Sequence, residues 1–407
     1  MKVIYVHQYF KTPGEGGAIR SFHLAKGLVE AGIEVEMVTA HNRGHYEVHL
    51  VEGIKVHYLP ISYEPSYGML RRIWAFRRFV SAAKKLIAKL PRPDLFYITS
   101  TPLTVGQIGL WVKKTLAIPY IFEVRDLWPE APIQIGMVKN PLLKKMLYRL
   151  EKSIYEQALR IVALSPGIKN YIVAKVPDAQ VELIPNIADT RFFSPSPKDI
   201  RTLQRLGLTD CFTLSYTGAL GKVNALQHFL FLAKAAMEEE KNWQFVLMGQ
   251  GAKEVELRQL AAKLQLKNLT LMPFGNKSQV RDVLSVTDMV YISFDDQPVL
   301  QSNSPNKFFD ALAAGKAIVI NHQGWIASLV KEHQLGIYHA KDDHPSALQA
   351  LSRYADHPEW LQAAQNRSRK LGEQYFSKGK AIHLLLHTLD PKRYKLDPNE
   401  RADNLIV

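Results

Sequence analysis

Short apolar runs alternate along the chain with amphipathic stretches of helical period. Runs near 2–7, 34–40, 55–59, 94–99, 119–124, 160–164 and 181–184 read as strands in the first half. Runs near 212–217, 243–248, 269–272, 288–293, 317–321 and 336–339 do so in the second. Helical patterns separate most of them, for example Ala18 to Ala31 and Leu142 to Ala158. Strands punctuated by helices predict two α/β units with parallel sheets. The seam falls at Asn186-Ile-Ala-Asp-Thr-Arg-Phe-Phe-Ser-Pro-Ser-Pro-Lys198, where prolines and small polar residues interrupt the pattern. This gives a first domain over 1–190 and a second over 191–376. A final helix over 377–389 can cross back to the first domain, and a charged, proline-containing tail over 390–407 is expected to be loosely ordered.

Several stretches fall where a doubly wound sheet binds ligands, at the carboxyl ends of strands. Gly14-Glu-Gly-Gly-Ala-Ile-Arg20 follows the first strand, and Gly16 and Gly17 would let the backbone approach a substrate closely. Tyr216-Thr-Gly-Ala-Leu-Gly-Lys-Val-Asn224 is the matching loop of the second domain. There Gly218 and Gly221 relax the backbone, and Lys222 can meet a phosphate as a mobile charge. Gly249 in Met248-Gly-Gln-Gly-Ala252 and Phe274 in Pro273-Phe-Gly-Asn276 end further strands at the same edge. Ser304 has the side chain of an N-cap, Pro305 suits the first helical position, and Gly315 suits the stop. The helix so framed carries Asn306 and Lys307 in its first turn. Free backbone N–H groups beside a lysine make an anion site.

Phe122-Glu-Val-Arg-Asp-Leu-Trp-Pro-Glu130 ends a first-domain strand with charges that cannot all be buried cheaply, so it is either a solvated loop or a site. His41, His45 and His49 lie in loop and strand, where a spacing of four does not align side chains, and they are not read as metal ligands. The chain lacks GxGxxG, GxSxG, HExxH and P-loop motifs.

Composition narrows the partners. The 407 residues suffice for two cores, and 47% hydrophobic with 22% charged content is globular. A formal net charge of +14 points toward phosphates: nucleic acid, an anionic membrane or a phosphorylated substrate. Cys211 is the single cysteine, which excludes an internal disulfide and fits a reducing compartment. Met1 to His7 is too short for a signal peptide and reads as the first strand. No apolar run is long enough for a spanning helix.

The charge concentrates between Met69 and Leu90, where Arg71, Arg72, Arg77, Arg78, Lys84, Lys85 and Lys89 meet no acid. Ile73, Phe76, Val80, Ala83, Ile87 and Leu90 fall on one helical face. A cationic amphipathic helix carrying Trp74 can lie on an anionic membrane, or its apolar face can belong to the domain core. Nucleic acid is not the expected partner, because the aromatic residues lie on the apolar face rather than between the charges.

Together these motifs resemble glycosyltransferase family 4, retaining enzymes of the GT-B fold, over roughly residues 2 to 389. The resemblance rests on Glu15-Gly-Gly-Ala-Ile-Arg20, Arg125-Asp-Leu-Trp-Pro129, Leu164-Ser-Pro-Gly167, Ile184-Pro-Asn-Ile-Ala-Asp189, the Gly218/Gly221/Lys222 loop, Gly249-Gln-Gly251 and Ser304 to Gly315. Within that family the chain looks closest to the WbuB-like transferases of bacterial surface-polysaccharide assembly. The resemblance implies two Rossmann-like, doubly wound α/β domains facing a central cleft. A nucleotide-sugar, UDP-linked, would be held by Gly218, Gly221, Lys222, Gly249, Phe274, Ser302, Ser304, Asn306, Lys307, Phe308 and Asp310. Asp310 aligns with the glutamate that binds the ribose. Ser302 takes the place of a second glutamate that contacts the donor sugar. Arg125 stands where the family often has histidine, with Asp126 kept, and these two with Lys222 would serve catalysis.

The acceptor, a lipid-diphosphate-linked saccharide, would bind near Gly16, Gly17 and Arg20 at the inner face of the cytoplasmic membrane. Arg71, Arg72, Trp74, Arg77, Arg78, Lys84 and Lys85 would meet that membrane. No metal or cofactor is implied. The alternatives are another GT-B activity, such as a nucleotide-sugar 2-epimerase, and a non-catalytic protein that binds membrane or nucleic acid.

Overall fold

The computed structural model describes residues 1–15, 17, 19–64 and 67–397, the side chain of Met69 excepted. The first sheet contains β1 (Lys2–Val6), β2 (Glu34–His41), β3 (Glu47–Val51), β4 (Ile54–Pro60), β5 (Leu95–Thr99), β6 (Tyr120–Val124), β7 (Arg160–Ala163) and β8 (Val181–Leu183). Its spatial order is β3-β4-β2-β1-β5-β6-β7-β8. Only the edge pair β3–β4 is antiparallel among these described strands. The second sheet contains β9 (Phe212–Ala219), β10 (Trp243–Gln250), β11 (Leu269–Met272), β12 (Met289–Ile292), β13 (Ala317–Ile320) and β14 (Gly336–Tyr338). It runs β11-β10-β9-β12-β13-β14, parallel throughout. In each sheet the chain starts in the middle and winds outward twice. The order reverses between β1 and β5, and again between β9 and β12, which opens a crevice at the carboxyl ends of those strands.

The central strands β5, β6, β12 and β13 are buried along their whole length because helices cover both faces of each sheet. One face of the first sheet packs against the helix Arg20–Glu30 and the terminal helix Lys378–Leu389, through Leu24, Leu28, Leu384 and Leu385. The other face takes the helices Met69–Ile87, Gly106–Leu116 and Pro141–Gln157. The terminal helix therefore packs on the first domain. The chain crosses between domains twice, and the crossings are adjacent: Ala188 N donates to Phe376 O at 2.8 Å, and Ala188 bridges Ser377 in parallel.

Two expectations are corrected. The span 41–54 holds a strand the sequence pattern does not count, β3, closed onto β4 by Glu52 and Gly53, both at left-handed φ (50° and 82°). In Met69–Ile87, Phe76, Phe79, Val80, Ala83 and Ile87 enter the core, but Ile73 does not; it stays exposed beside Leu70 and Trp74. The apolar face rotates away from the domain in the first turns of the helix.

Candidate functional site

The loops after β9 and β10 are pressed together. Leu220 N donates to Gln250 O at 2.9 Å, and Lys253 N to Leu220 O at 2.9 Å. A Cβ at Gly249 would overlap the carbonyl oxygen of Gly218, so Gly249 is glycine for backbone packing. Gly218, at φ +145°, lies instead against Lys307: a Cβ there would be 3.2 Å from the lysine Cε. Gly221 N donates to Asn224 Oδ1 at 3.2 Å and starts the short turn Lys222–Asn224. Ser293 Oγ donates to Asn224 O at 2.6 Å, and Asn321 Nδ2 donates to Ser293 Oγ at 2.9 Å, which fixes this turn to the ends of β12 and β13. Lys222 itself is exposed.

The helix Asn306–Ala313 begins one residue later than its cap signal suggests. Pro305 occupies the cap position, and no side chain caps the helix. Ser304 Oγ is buried without a hydrogen-bond partner among the described residues. Lys307 points from the first turn to Tyr216. Its Nζ donates to the Tyr216 hydroxyl at 2.6 Å and sits 3.9 Å from that ring's centroid and 5.5 Å from that of Phe294. No carboxylate pairs with it among the described residues, and burial alone lowers its ammonium to about 7. His322, at the end of β13, packs edge-on against Phe294 at 4.8 Å, with Nδ1 unpartnered. Burial, with Lys307 adding to it, holds His322 neutral down to about 3.

Asp310 lies one turn after Lys307. Burial lifts its carboxyl to about 6, opposed by Lys277 and reinforced by Asp189. Asp189 in turn gathers His23 Nε2 at 3.4 Å, Lys378 at 3.7 Å and Lys277 at 3.8 Å, joining both domains and the terminal helix. Phe308 is fully buried against Phe309 and Phe376, so it belongs to the core and not to a ligand surface. Asn306 is exposed, and Phe274, 45% exposed, presents its ring after β11.

On the first-domain side, Arg125 and Asp126 follow β6. Arg125 N is held by Ser100 Oγ at 3.0 Å, and its Nη1 lies 3.4 Å from His7 Nε2 at the end of β1. Asp126 is exposed just past the carboxyl end of β6, yet the protein around it raises its carboxyl, with Arg125 opposing. Arg20 differs from expectation. Its guanidinium is buried, bonded to Glu123 at 3.0 Å, to Ile184 O at 2.8 Å and to Pro185 O. It ties the first helix to β6 and to the start of the linker, and its side chain is buried rather than presented to an acceptor. Gly17 is exposed at φ +84°, and Gly16 lies outside the described residues. His41, His45 and His49 do not converge on one point: His41 bonds the His45 carbonyl, and the other two meet Glu47.

The segment 299–304 carries three bonds across the domain boundary. Val299 N donates to Gln134 Oε1 at 3.0 Å, Ser165 Oγ to Ser302 O at 2.6 Å, and Asn186 Nδ2 to Ser304 O at 2.5 Å. Trp325 Nε1 holds Asn303 O from behind at 2.7 Å. Ser302 thus sits against the first domain, its hydroxyl over Gly167. Tyr216, His322, Lys277 and Gln134 were not singled out as site residues. Tyr216 and Lys277 each lie in or beside a glycine loop that was, which is the one signal pointing to them.

Residues 15–187 match the family described as glycosyl transferase 4-like domain, and residues 211–357 match glycosyl transferases group 1. The alpha-monoglucosyldiacylglycerol synthase of Streptococcus pneumoniae R6 is 22% identical over 295 residues, which cover 70% of this chain and 64% of that protein. The match thus spans less than two thirds of that relative. Among solved structures, sucrose-phosphate synthase from Thermosynechococcus elongatus superposes with a TM-score of 0.75 at 17% identity, covering 97% of this chain and 99% of that one. HepE of Anabaena in complex with UDP-glucose gives 0.70 at 15% identity, covering 96% and 100%.

Proposed function

We propose that the chain, which matches a glycosyl transferase 4-like domain over 15–187 and glycosyl transferases group 1 over 211–357, is a retaining GT-B transferase that moves a sugar from a UDP-sugar to a lipid-diphosphate-linked saccharide. The sugar is of the N-acetylated amino class, N-acetyl-L-fucosamine being one such, and the product serves cell-surface polysaccharide such as O-antigen or capsule. The observation that carries the reading is Lys307. An ammonium with no carboxylate partner among the described residues faces Gly218 at the carboxyl edge of β9, near the unpartnered Nδ1 of His322. Such a charge is stabilised when an oxyanion arrives.

The donor diphosphate lies between Lys307 and Lys222, the ribose hydroxyls on Asp310, and the base near Phe274. UDP is the leaving group. The bond from the sugar's anomeric carbon to the phosphate oxygen breaks as the acceptor oxygen attacks from the same face. The departing phosphate oxygen takes the acceptor proton, so configuration is retained without a protein nucleophile. The lysines meet the growing negative charge, so no resident metal or cofactor is invoked. Asp126 and Arg125 line the acceptor side. Closure of the cleft, with the segment 299–304 gripped from both sides, excludes water from the activated sugar.

The enzyme works at the inner face of the cytoplasmic membrane, touching it through Met69–Ile87. Leu70 (84% exposed) and Trp74 (59%) stand there among Arg71, Arg77 and Arg78. No described helix is long and apolar enough to cross a membrane.

The test is a thermal-shift panel of UDP, GDP, ADP and NAD on wild type, Lys307→Ala and Asp310→Ala. A rise with UDP that both variants lose supports the site. No shift with any nucleotide at millimolar concentration overturns it.

A further inference from the structure

The linker that leaves the first domain runs alongside the helix Lys277–Ser285. At the start of the helix, Lys277 Nζ stands 5.4 Å from the Phe192 ring centroid and 5.1 Å from that of Phe193. One turn on, the Arg281 guanidinium lies 5.0 Å from the Phe192 centroid. Past the end of the helix, Lys198 Nζ donates to Asp288 Oδ2 at 2.5 Å. Between linker and helix lies a groove of about 340 Å³. Arg191, Ser194 and Ser196 line it on the linker side, and Arg281, Leu284 and Ser285 on the helix side. Its volume suits a small metabolite.

The linker wall is held in place by the second domain. Arg369 donates from Nη1 to Phe193 O at 2.9 Å and from Nη2 to Thr190 O at 3.1 Å. Pro195 packs on Gly315, where a Cβ would be 2.9 Å from the proline Cγ. The groove therefore exists before a ligand arrives, and binding need not order it.

Its two ends differ in chemistry. Arg191 and Arg281 mark one end, and neither guanidinium pairs with a carboxylate among the described residues. The carboxylate on the lining, Asp282, is engaged by Arg205 Nη1 at 3.0 Å. Two such guanidiniums suit a phosphate. The other end has the hydroxyls of Ser194, Ser196 and Ser285, and Ala314, where the helix Asn306–Ala313 stops. Two helices thus finish there, at Ser285 and at Ala314. Their negative dipole ends and last carbonyls disfavour an anion and suit hydroxyl donors.

We propose that this groove binds a small phosphate monoester of a polyhydroxyl compound. The phosphate meets Arg191 and Arg281, and the hydroxyls meet the serines and the helix ends. The site lies at the opposite end of the helix Asn306–Ala313 from Lys307 and stands independently of the transferase reading.

Glucose 6-phosphate is the probe, titrated calorimetrically into wild type, Arg191→Gln/Arg281→Gln and Lys307→Ala. Glucose and inorganic phosphate are titrated separately. Melting temperatures without ligand check the fold of each variant. The wild type is expected to bind glucose 6-phosphate about tenfold more tightly than either fragment, or better. The double arginine variant should lose about tenfold or more, and Lys307→Ala no more than about twofold.

No binding by the wild type at millimolar concentration overturns the site. Equal affinity for inorganic phosphate overturns the ligand class. Unchanged affinity in the double variant puts the ligand elsewhere, and an equal loss in Lys307→Ala puts it in the donor site; either overturns the assignment. Should the double variant melt early, Ser194→Trp, which fills the groove from an exposed position, carries the same test. Its loss of binding at an unchanged melting temperature supports the site, and retained binding overturns it.

Discussion

Ser165 of the first domain donates its hydroxyl hydrogen to the backbone carbonyl of Ser302 in the second, at 2.6 Å. The same residue caps its own helix by accepting from Ile168 N at 3.2 Å, so one hydroxyl fixes both a helix start and a domain contact. Two residues along, Gly167 leaves room for the Ser302 hydroxyl that a Cβ would remove. The serine that stands in for the expected glutamate is thus fitted to its opposite wall.

Gly167→Ala should therefore destabilise the protein by about 1–3 kcal/mol through overpacking, and Ser302→Gly should recover most of that loss. Chemical denaturation of the two single variants and the double variant measures the coupling. Additive losses would mean that the two side chains do not meet. Ser165→Ala should cost about 1 kcal/mol.

UDP binding should pass through a maximum between about pH 6 and pH 7. Asp310 must be ionised to accept from ribose hydroxyls, and its carboxyl is raised to about 6, so affinity falls below that pH. Lys307 must be charged to hold the diphosphate, and its ammonium is lowered to about 7, so affinity falls above that pH. Titration calorimetry across pH 5–9 should lose the acid limb in Asp310→Asn and the alkaline limb in Lys307→Arg, whose charge persists. A flat profile would remove both groups from the site.

Lys307 also predicts a stability effect of defined sign. Its pKa is about 7 folded and 10.5 unfolded, so between those values the unfolded chain holds the extra proton. Stability contributed through this residue then rises with pH across that window, and the cost of the buried charge is fully present below pH 7. Lys307→Met should raise the melting temperature of the ligand-free protein at pH 6.5 and abolish its gain from UDP, a stability–activity trade-off. A lowered melting temperature would mean that the lysine holds the fold together.

Arg20→Ala should cost about 3–5 kcal/mol, because it strands Glu123 in the core. Burial pushes the Glu123 carboxyl up, and Arg20, Arg125 and hydrogen bonds outweigh that, holding it below its usual range. The pair's stability is therefore present above the unfolded carboxylate pKa and is lost as pH falls through the folded one. The Arg20→Met/Glu123→Gln double variant should recover part of the loss. An Arg20→Ala protein with unchanged melting but a raised acceptor KM would return Arg20 to the acceptor.

Trp74→Glu should weaken binding to phosphatidylglycerol vesicles about tenfold without moving the melting temperature, since the side chain is mostly in solvent. Vesicle co-sedimentation reads the first effect. Unchanged binding would take this helix off the membrane.

The sheets were legible because their strands are short, apolar and bounded by helical patterns, but the spatial order and its central reversals depend on which strand edges pair, which the chain order does not carry. β3 was not, since its middle three residues are exposed; the hairpin turn at Glu52-Gly53 was the available signal. The anion character of the Ser304–Lys307 stretch was readable from composition. The shift of the cap to Pro305, which leaves Ser304 Oγ unpartnered, depends on how the segment is gripped by Asn186 and Trp325. Arg20 shows the same limit more sharply: its carboxylate partner is 103 residues away, and sequence spacing carries no trace of such a pairing. Phe308 and Ile73 each lie on a helix whose existence was clear. Which way each points was decided by what packs beside it.

The two passages of the chain between domains lie side by side, stitched at Ala188 to Phe376 and Ser377. Two adjacent crossings tied to each other form one compact pivot, so an opening of the cleft would bend the chain at this one place, with Lys307 and Asp126 moving apart on either side of it.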